Sequence, residues 1–132
     1  MANYQNLISD ILFFEGGLSK DKNDTASKNP VPDGTGNHTN KGVTWATFKS
    51  LGTQLGYNPT PALFYEMPKK IWLEVYKRGF WDYIKAGSIN SQAIANLYVQ
   101  MAWGSGRDTA INQMFDWLNS YKKGIVKSKT KD

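Results

Sequence analysis

A chain of 132 residues, 40% apolar and 14% aromatic, suits one domain with its own core and is too apolar for a disordered segment. It contains no cysteine, which excludes a disulfide framework and a thiolate metal site. Most of the net charge of +5 falls in the stretch from Tyr121 onward, where five Lys stand against one Asp. The composition therefore predicts a nearly neutral domain over residues 1–119 and a solvated Lys-rich tail over residues 120–132.

The N-terminus, MANYQNLISD, has no basic segment followed by an apolar run. No secretory leader is expected, which points to a cytoplasmic origin, and no apolar run reaches membrane-spanning length. The first helix is predicted over about Asn3 to Glu15, with Leu7, Ile8, Ile11, Leu12 and Phe14 in the spacing of a buried face. Positions 8, 11 and 15 fall on one stripe of a helix with about 3.6 residues per turn. Glu15 thus stands where the apolar stripe meets the first break, Gly16-Gly17. A carboxylate on such a stripe must be paired or keep its proton near neutral pH, and a retained proton is what a general acid needs. The competing reading is a solvated helix end.

From Gly16 to Val43 the chain is polar and lacks apolar periodicity. It carries Asp21, Asp24 and Asp33, with Pro30, Pro32, Gly34 and Gly36 as breakers. Loops of that length in small domains are usually functional or disordered. A small hairpin is expected around the turn-forming pair Asp33-Gly34, with Val43 ending a strand. Thr44 can cap a helix over Trp45 to Leu51, stopped by Gly52, and Tyr57 to Pro61 reads as a turn. Pro68 can open a helix through Arg78 that buries Ile71, Trp72, Val75 and Tyr76 and ends at Gly79. After a connection over Phe80 to Ser88, a helix is predicted from Ser91 to Trp103 with Ile94, Leu97 and Met101 inward. Gly104-Ser105-Gly106 breaks it. The last helix, Asp108 to Leu118, is expected to face Ile111, Met114, Phe115 and Leu118 inward. The fold class is mostly α, interrupted by one long polar loop or small β-hairpin after the first helix.

F-E-G-G at Phe14 to Gly17, D-x-x-D at Asp21 and Asp24, and H-T-N-K-G-V-T-W-A-T-F at His38 to Phe48 resemble the signature of glycoside hydrolase family 108. That family comprises lysozyme-like muramidases of phages and bacteria. G-F-W-D at Gly79 to Asp82 and W-G-S-G at Trp103 to Gly106 resemble its downstream blocks, so the likeness spans about residues 4–118. It implies a lysozyme-like helical fold and hydrolysis of the β-1,4 bond between N-acetylmuramic acid and N-acetylglucosamine. It also implies Glu15 as the general acid, by analogy with lysozyme, where a Glu in apolar surroundings keeps its proton.

Glycosidases generally need a second group to activate water or stabilise the oxocarbenium-like centre. In simpler phage lysozymes an Asp follows the Glu by nine residues, and a Thr follows soon after. Asp24 is nine residues beyond Glu15, and Thr39 matches the Thr of T-N-K-G, which makes them the expected water-positioning pair. The segment TASKNPVP lengthens the loop between Asp24 and Asp33, so Asp33 can replace Asp24, and Asp21 is a third candidate. A surface turn role is the alternative for all three.

His38 and Asn40 flank Thr39 and are expected beside the substrate; the alternative for His38 is to orient the loop by hydrogen bonds. Trp45, Trp81 and Trp103 each lie near a loop or break, where an indole can stack on a sugar or pack in the core. With one His and no Cys, no transition-metal site is expected, and no cofactor is called for. The expected partner is a peptidoglycan glycan strand, met by a monomer after release from the cytoplasm to the wall. Neither stable membrane insertion nor nucleic-acid binding is expected, because the body lacks Lys or Arg interleaved with aromatics. A lytic transglycosylase and a non-catalytic wall-binding module remain the alternatives.

Overall fold

The structure, a computed structural model, describes residues 1–14 and 16–121. Among them are six α-helices and one three-stranded antiparallel sheet. This is the mostly helical organisation, with a small sheet after the first helix, that the resemblance implies. The chain forms two compact units, one of Ile8–Val75 and one of Met1–Leu7 with the chain from Tyr76 onward.

Helix α1 (Gln5–Phe14) begins the described secondary structure, with Leu7 and Ile11 buried as the apolar spacing predicts. In the Ile8–Val75 unit, three two-residue strands follow: β1 (Leu18–Ser19), β2 (Thr39–Asn40) and β3 (Val43–Thr44). They pair in the order β1-β2-β3, with Ser19 opposite Thr39 and Thr39 opposite Thr44. The hairpin turn is Lys41-Gly42, not Asp33-Gly34. Both of its residues have positive φ, 49° and 76°, as the tight turn joining right-twisted strands requires. Asp33-Gly34 lies in a turn within the loop, where no alternating apolar run flanks it to make strands.

Helix α2 (Trp45–Gln54) is capped by Thr44, whose Oγ1 accepts from the Thr47 N–H at 3.0 Å. It runs through Gly52, the expected stop, to Gln54, and Gly56 just beyond provides the left-handed conformation at φ 86°. The segment expected as a turn opens a further helix, α3 (Pro61–Glu66). Thr60 accepts from the Leu63 N–H at 3.2 Å, Pro61 takes the first helical position, and Met67 closes the helix in left-handed conformation at φ 36°. Helix α4 (Lys69–Tyr76) comes next. The core of this unit is aromatic: Trp45, Phe48 and Phe64 pack with ring centroids 5.5–6.0 Å apart, and Val31, Met67 and Trp72 are buried.

In the other unit the chain widens into a π-helical turn, Lys77–Trp81, where the Asp82 N–H donates to the Lys77 carbonyl at 2.8 Å. Gly79 therefore does not end a helix; its carbonyl accepts from Arg107 Nη1 at 2.9 Å. Helix α5 (Gln92–Ser105) and helix α6 (Arg107–Tyr121) pack as a hairpin about Gly106. The buried face of α5 is Ala95, Tyr98, Val99 and Ala102, one residue round from the expected stripe. Ile94 and Leu97 are 43% and 59% exposed, and Met101 is half-buried. The alanines Ala95 and Ala102 of α5 and Ala110 of α6 are fully buried. Ile111, Met114, Phe115 and Leu118 are half-buried.

The rotated face has a direct test in urea unfolding. Ala102→Leu should overpack the core at this fully buried position and cost about 1–3 kcal/mol. Leu97→Ala should stay within about 0.5 kcal/mol. The reverse order would restore the face that apolar bulk alone suggests.

Candidate active site

The polar segment after α1 is built by short-range hydrogen bonds from its own acids. Asp21 Oδ1 accepts from the Asn23 N–H at 2.9 Å, and the Asp21 carbonyl accepts from the Asp24 N–H at 3.1 Å. This turn delivers Asp24 to the start of a 3-10 helix, Thr25–Lys28, where its Oδ1 accepts from the Ala26 N–H at 2.9 Å. Its second oxygen, Oδ2, faces His38 Nε2 at 3.8 Å, and the Asp24 side chain is 39% exposed. One oxygen is thus anchored while the group as a whole still reaches solvent.

Asp33 is held differently. Its carboxylate accepts from the Tyr65 hydroxyl, from the Thr35 N–H at 3.0 Å and from Thr35 Oγ1 at 2.8 Å. Thr35 Oγ1 also accepts from Asn37 Nδ2 at 3.0 Å. These bonds pull the Asp33 carboxyl below its ordinary value of 3.8, with the Tyr65 hydroxyl the largest cause. The group fastens the loop over residues 33–37 to α3. No sequence signal announces Tyr65, which lies 32 residues away.

His38 leads into β2, the central strand, which holds Thr39 and Asn40, and all three are buried. The His38 N–H donates to the Ser19 carbonyl at 3.1 Å, and the His38 carbonyl accepts from Trp45 at 2.8 Å. Asn40 Nδ2 donates to the carbonyls of Phe64 at 2.8 Å and Tyr65 at 3.1 Å, capping the C-terminal end of α3. Lys41 Nζ donates to the Met67 carbonyl at 3.2 Å, and the Lys41 carbonyl accepts from Trp72 Nε1 at 3.0 Å. The amide of Asn40 is therefore engaged on the scaffold. Its geometry describes a strut for β2, whose neighbour β1 begins three residues after Glu15 in sequence. Glu15 itself lies outside the described residues.

The three tryptophans expected beside loops are set in packing. Trp45 is 8% exposed with its ring edge-on to Phe64, and Trp81 is 3% exposed against Tyr4. Trp103 is half-buried, its ring 4.8 Å from that of Phe80. An open groove of about 590 Å³ lies between Asn29-Pro30 and the α2 residues Trp45, Lys49 and Thr53. No carboxylate lines it, so it lacks the chemistry of a hydrolytic centre. Among the described residues no group of three His, Cys, Asp or Glu is placed to hold a metal ion, and no helix is long and apolar enough to cross a membrane.

A model of the family described as Glycosyl hydrolase 108 matches residues 8–106, most of the chain. The chain belongs to the glycosyl hydrolase 108 family. No curated protein and no solved structure matches it. Membership makes the chain a glycoside hydrolase and points to peptidoglycan hydrolysis as its general activity. The matched span contains Glu15, all three loop aspartates, the T-N-K-G hairpin and the W-G-S-G block. For this glycosyl hydrolase 108 member, the loop aspartates differ in what their oxygens already do, which bears on any role as the second carboxylate.

The Asp33 latch carries a pH dependence. Its folded pKa lies below 3.8, so its share of stability is present above that value and lost as pH falls through the lowered one. Tyr65→Phe should bring the Asp33 side-chain titration, followed by ¹³C NMR, back toward 3.8. An unchanged titration would show that Tyr65 does not hold the carboxylate.

Proposed function

We propose that this glycosyl hydrolase is an N-acetylmuramidase that cleaves the β-1,4 bond between N-acetylmuramic acid and N-acetylglucosamine. Glu15 is its general acid and Asp24 its second carboxylate. The observation that carries the pairing is the state of the Asp24 carboxylate. It follows Glu15 by nine residues, is fixed through Oδ1 to Ala26, and keeps its side chain 39% exposed. Asp33 is engaged by Tyr65 and Thr35, which favours Asp24 over it; Asp21 makes the same single bond to a backbone N–H two residues on as Asp24 does, and the nine-residue spacing from Glu15 favours Asp24 over Asp21.

In this reading Glu15 gives its proton to the glycosidic oxygen, and the bond from that oxygen to the muramic-acid anomeric carbon breaks. A water supplies the new hydroxyl at the anomeric carbon, and its proton passes to a carboxylate. Asp24 orients that water or stabilises the developing positive charge. Thr39, on β2 opposite Ser19, is the residue proposed to share the positioning of the water. The partner is a peptidoglycan glycan strand, and a single copy of the chain supplies both acids.

Digestion of purified peptidoglycan with mass analysis of the fragments tests this. Wild type should release fragments with reducing muramic-acid ends. Glu15→Gln should lose about 10²–10⁴-fold in kcat, the scale of a removed general acid. Asp24→Asn should lose at least about 10-fold, whereas Asp33→Asn should keep near-wild-type kcat. Anhydro-muramic ends would make the enzyme a lytic transglycosylase, and binding to the wall without any fragments would make it a binding module.

A further inference from the structure

His38, the single histidine of the chain, is 1% exposed, and both of its backbone groups are tied, to Ser19 and Trp45. Its ring therefore has a fixed origin. Yet Nε2 is buried with no hydrogen-bond partner among the described residues. Leaving such a group unsatisfied costs about 1–3 kcal/mol, so a fold that retains it asks for an explanation. Asp24 Oδ2 stands 3.8 Å away, too far for a hydrogen bond and near enough to become one with a small movement. To hold a carboxylate, an imidazole nitrogen has to present an N–H, because a lone pair there would repel the anion. Hydrogen bonds that serve catalysis are often long in the unliganded protein and tighten when substrate binds.

We propose that His38 is a positioning residue for Asp24, its Nε2–H closing onto Oδ2 to fix the carboxylate while Ala26 holds Oδ1. This rests on the assignment of Asp24 as the second carboxylate. At 1% exposure His38 is shielded from the glycan, so its influence runs through Asp24 and not through sugar contact. The ring sets where the free lone pairs of the acid point. Two anchors, one from the 3-10 helix and one from the residue that leads into β2, hold the acid more firmly than its cap alone.

Steady-state kinetics on soluble glycan fragments separates the roles. His38→Leu should lower kcat by about 10–100-fold, the scale on which outer partners act through a catalytic group, with KM unchanged. His38→Gln, whose Nε2 reaches the same place, should recover most of that loss, and His38→Asn, whose amide is too short, should not. In an Asp24→Asn background, His38→Leu should cost no further activity. Equal kcat in the Gln and Asn variants overturns the proposal, as does a full His38→Leu loss that persists in the Asp24→Asn background. Should His38→Leu fail to fold, the Gln and Asn pair decides alone. Asp24→Asn at wild-type activity would instead remove Asp24 from the mechanism, which is a separate result.

Discussion

The polar strut between the β2–β3 hairpin and the end of α3 governs how the loop-rich half of this enzyme is held. A six-residue helix cannot satisfy its own last carbonyls, and here they are met from across the unit. Asn40 takes those of Phe64 and Tyr65, Lys41 takes that of Met67, and Trp72 secures Lys41 in turn. Lys41 sits at φ 49°, a conformation that costs a residue with a Cβ about 1–2 kcal/mol. Each bond returns about 0.5–1.5 kcal/mol, so the four together outweigh the strain. A lysine at that turn position is thus explained by what its ammonium and carbonyl reach, and glycine, although better suited to the backbone, would lack the first of those bonds.

That strut has a consequence for the chemistry. Strands of two residues have little stability of their own, and a two-stranded hairpin is marginal in water. Anchoring β2 to α3 gives His38 and Thr39 a rigid base and offers β1 a fixed edge to pair with. Ser19 and Thr39 stand opposite one another in that pairing, and β1 follows closely on E-G-G in the chain. The hairpin block and the acid block of the family signature are therefore joined by backbone hydrogen bonds. Asn40, a motif residue polar enough to look like a substrate contact, has its amide N–H groups engaged within this framework.

Much of this was legible from the sequence, and the gaps have physical causes. Thr44 as a cap, Val43 at a strand end and the helices after Pro68 and Ser91 follow from local chemistry that tertiary contacts did not override. The hairpin was expected at Asp33-Gly34 because that pair suits a tight turn, but turn residues need pairing strands on both sides. Helix α3 escaped because six residues hold too little periodicity, although Thr60-Pro61 was a legible start signal. On α5 bulk is a poor guide to the buried face, since Ala95 and Ala102 are fully buried while Ile94 and Leu97 are exposed. The widened turn at Lys77–Trp81 has no local sequence marker, and its Gly79 read naturally as a terminator.

The three loop aspartates show where sequence reading ends and geometry begins. Each is a short acid in a loop rich in turn formers, and residue type alone does not separate their roles. Their partners do. Asp33 gathers three donors and is drawn below its ordinary pKa by them, whereas Asp21 and Asp24 each accept one backbone N–H two residues on, and of those two it is Asp24 that faces His38. A carboxylate stabilised so strongly as an anion is a poor proton acceptor, because every donor that lowers its pKa weakens it as a base. Asp24 has one donor on Oδ1 and an imidazole waiting beyond Oδ2, so it is oriented without being saturated. A second catalytic carboxylate needs that combination: enough anchoring to fix its direction, and enough unclaimed lone pairs to meet a water or a developing cation.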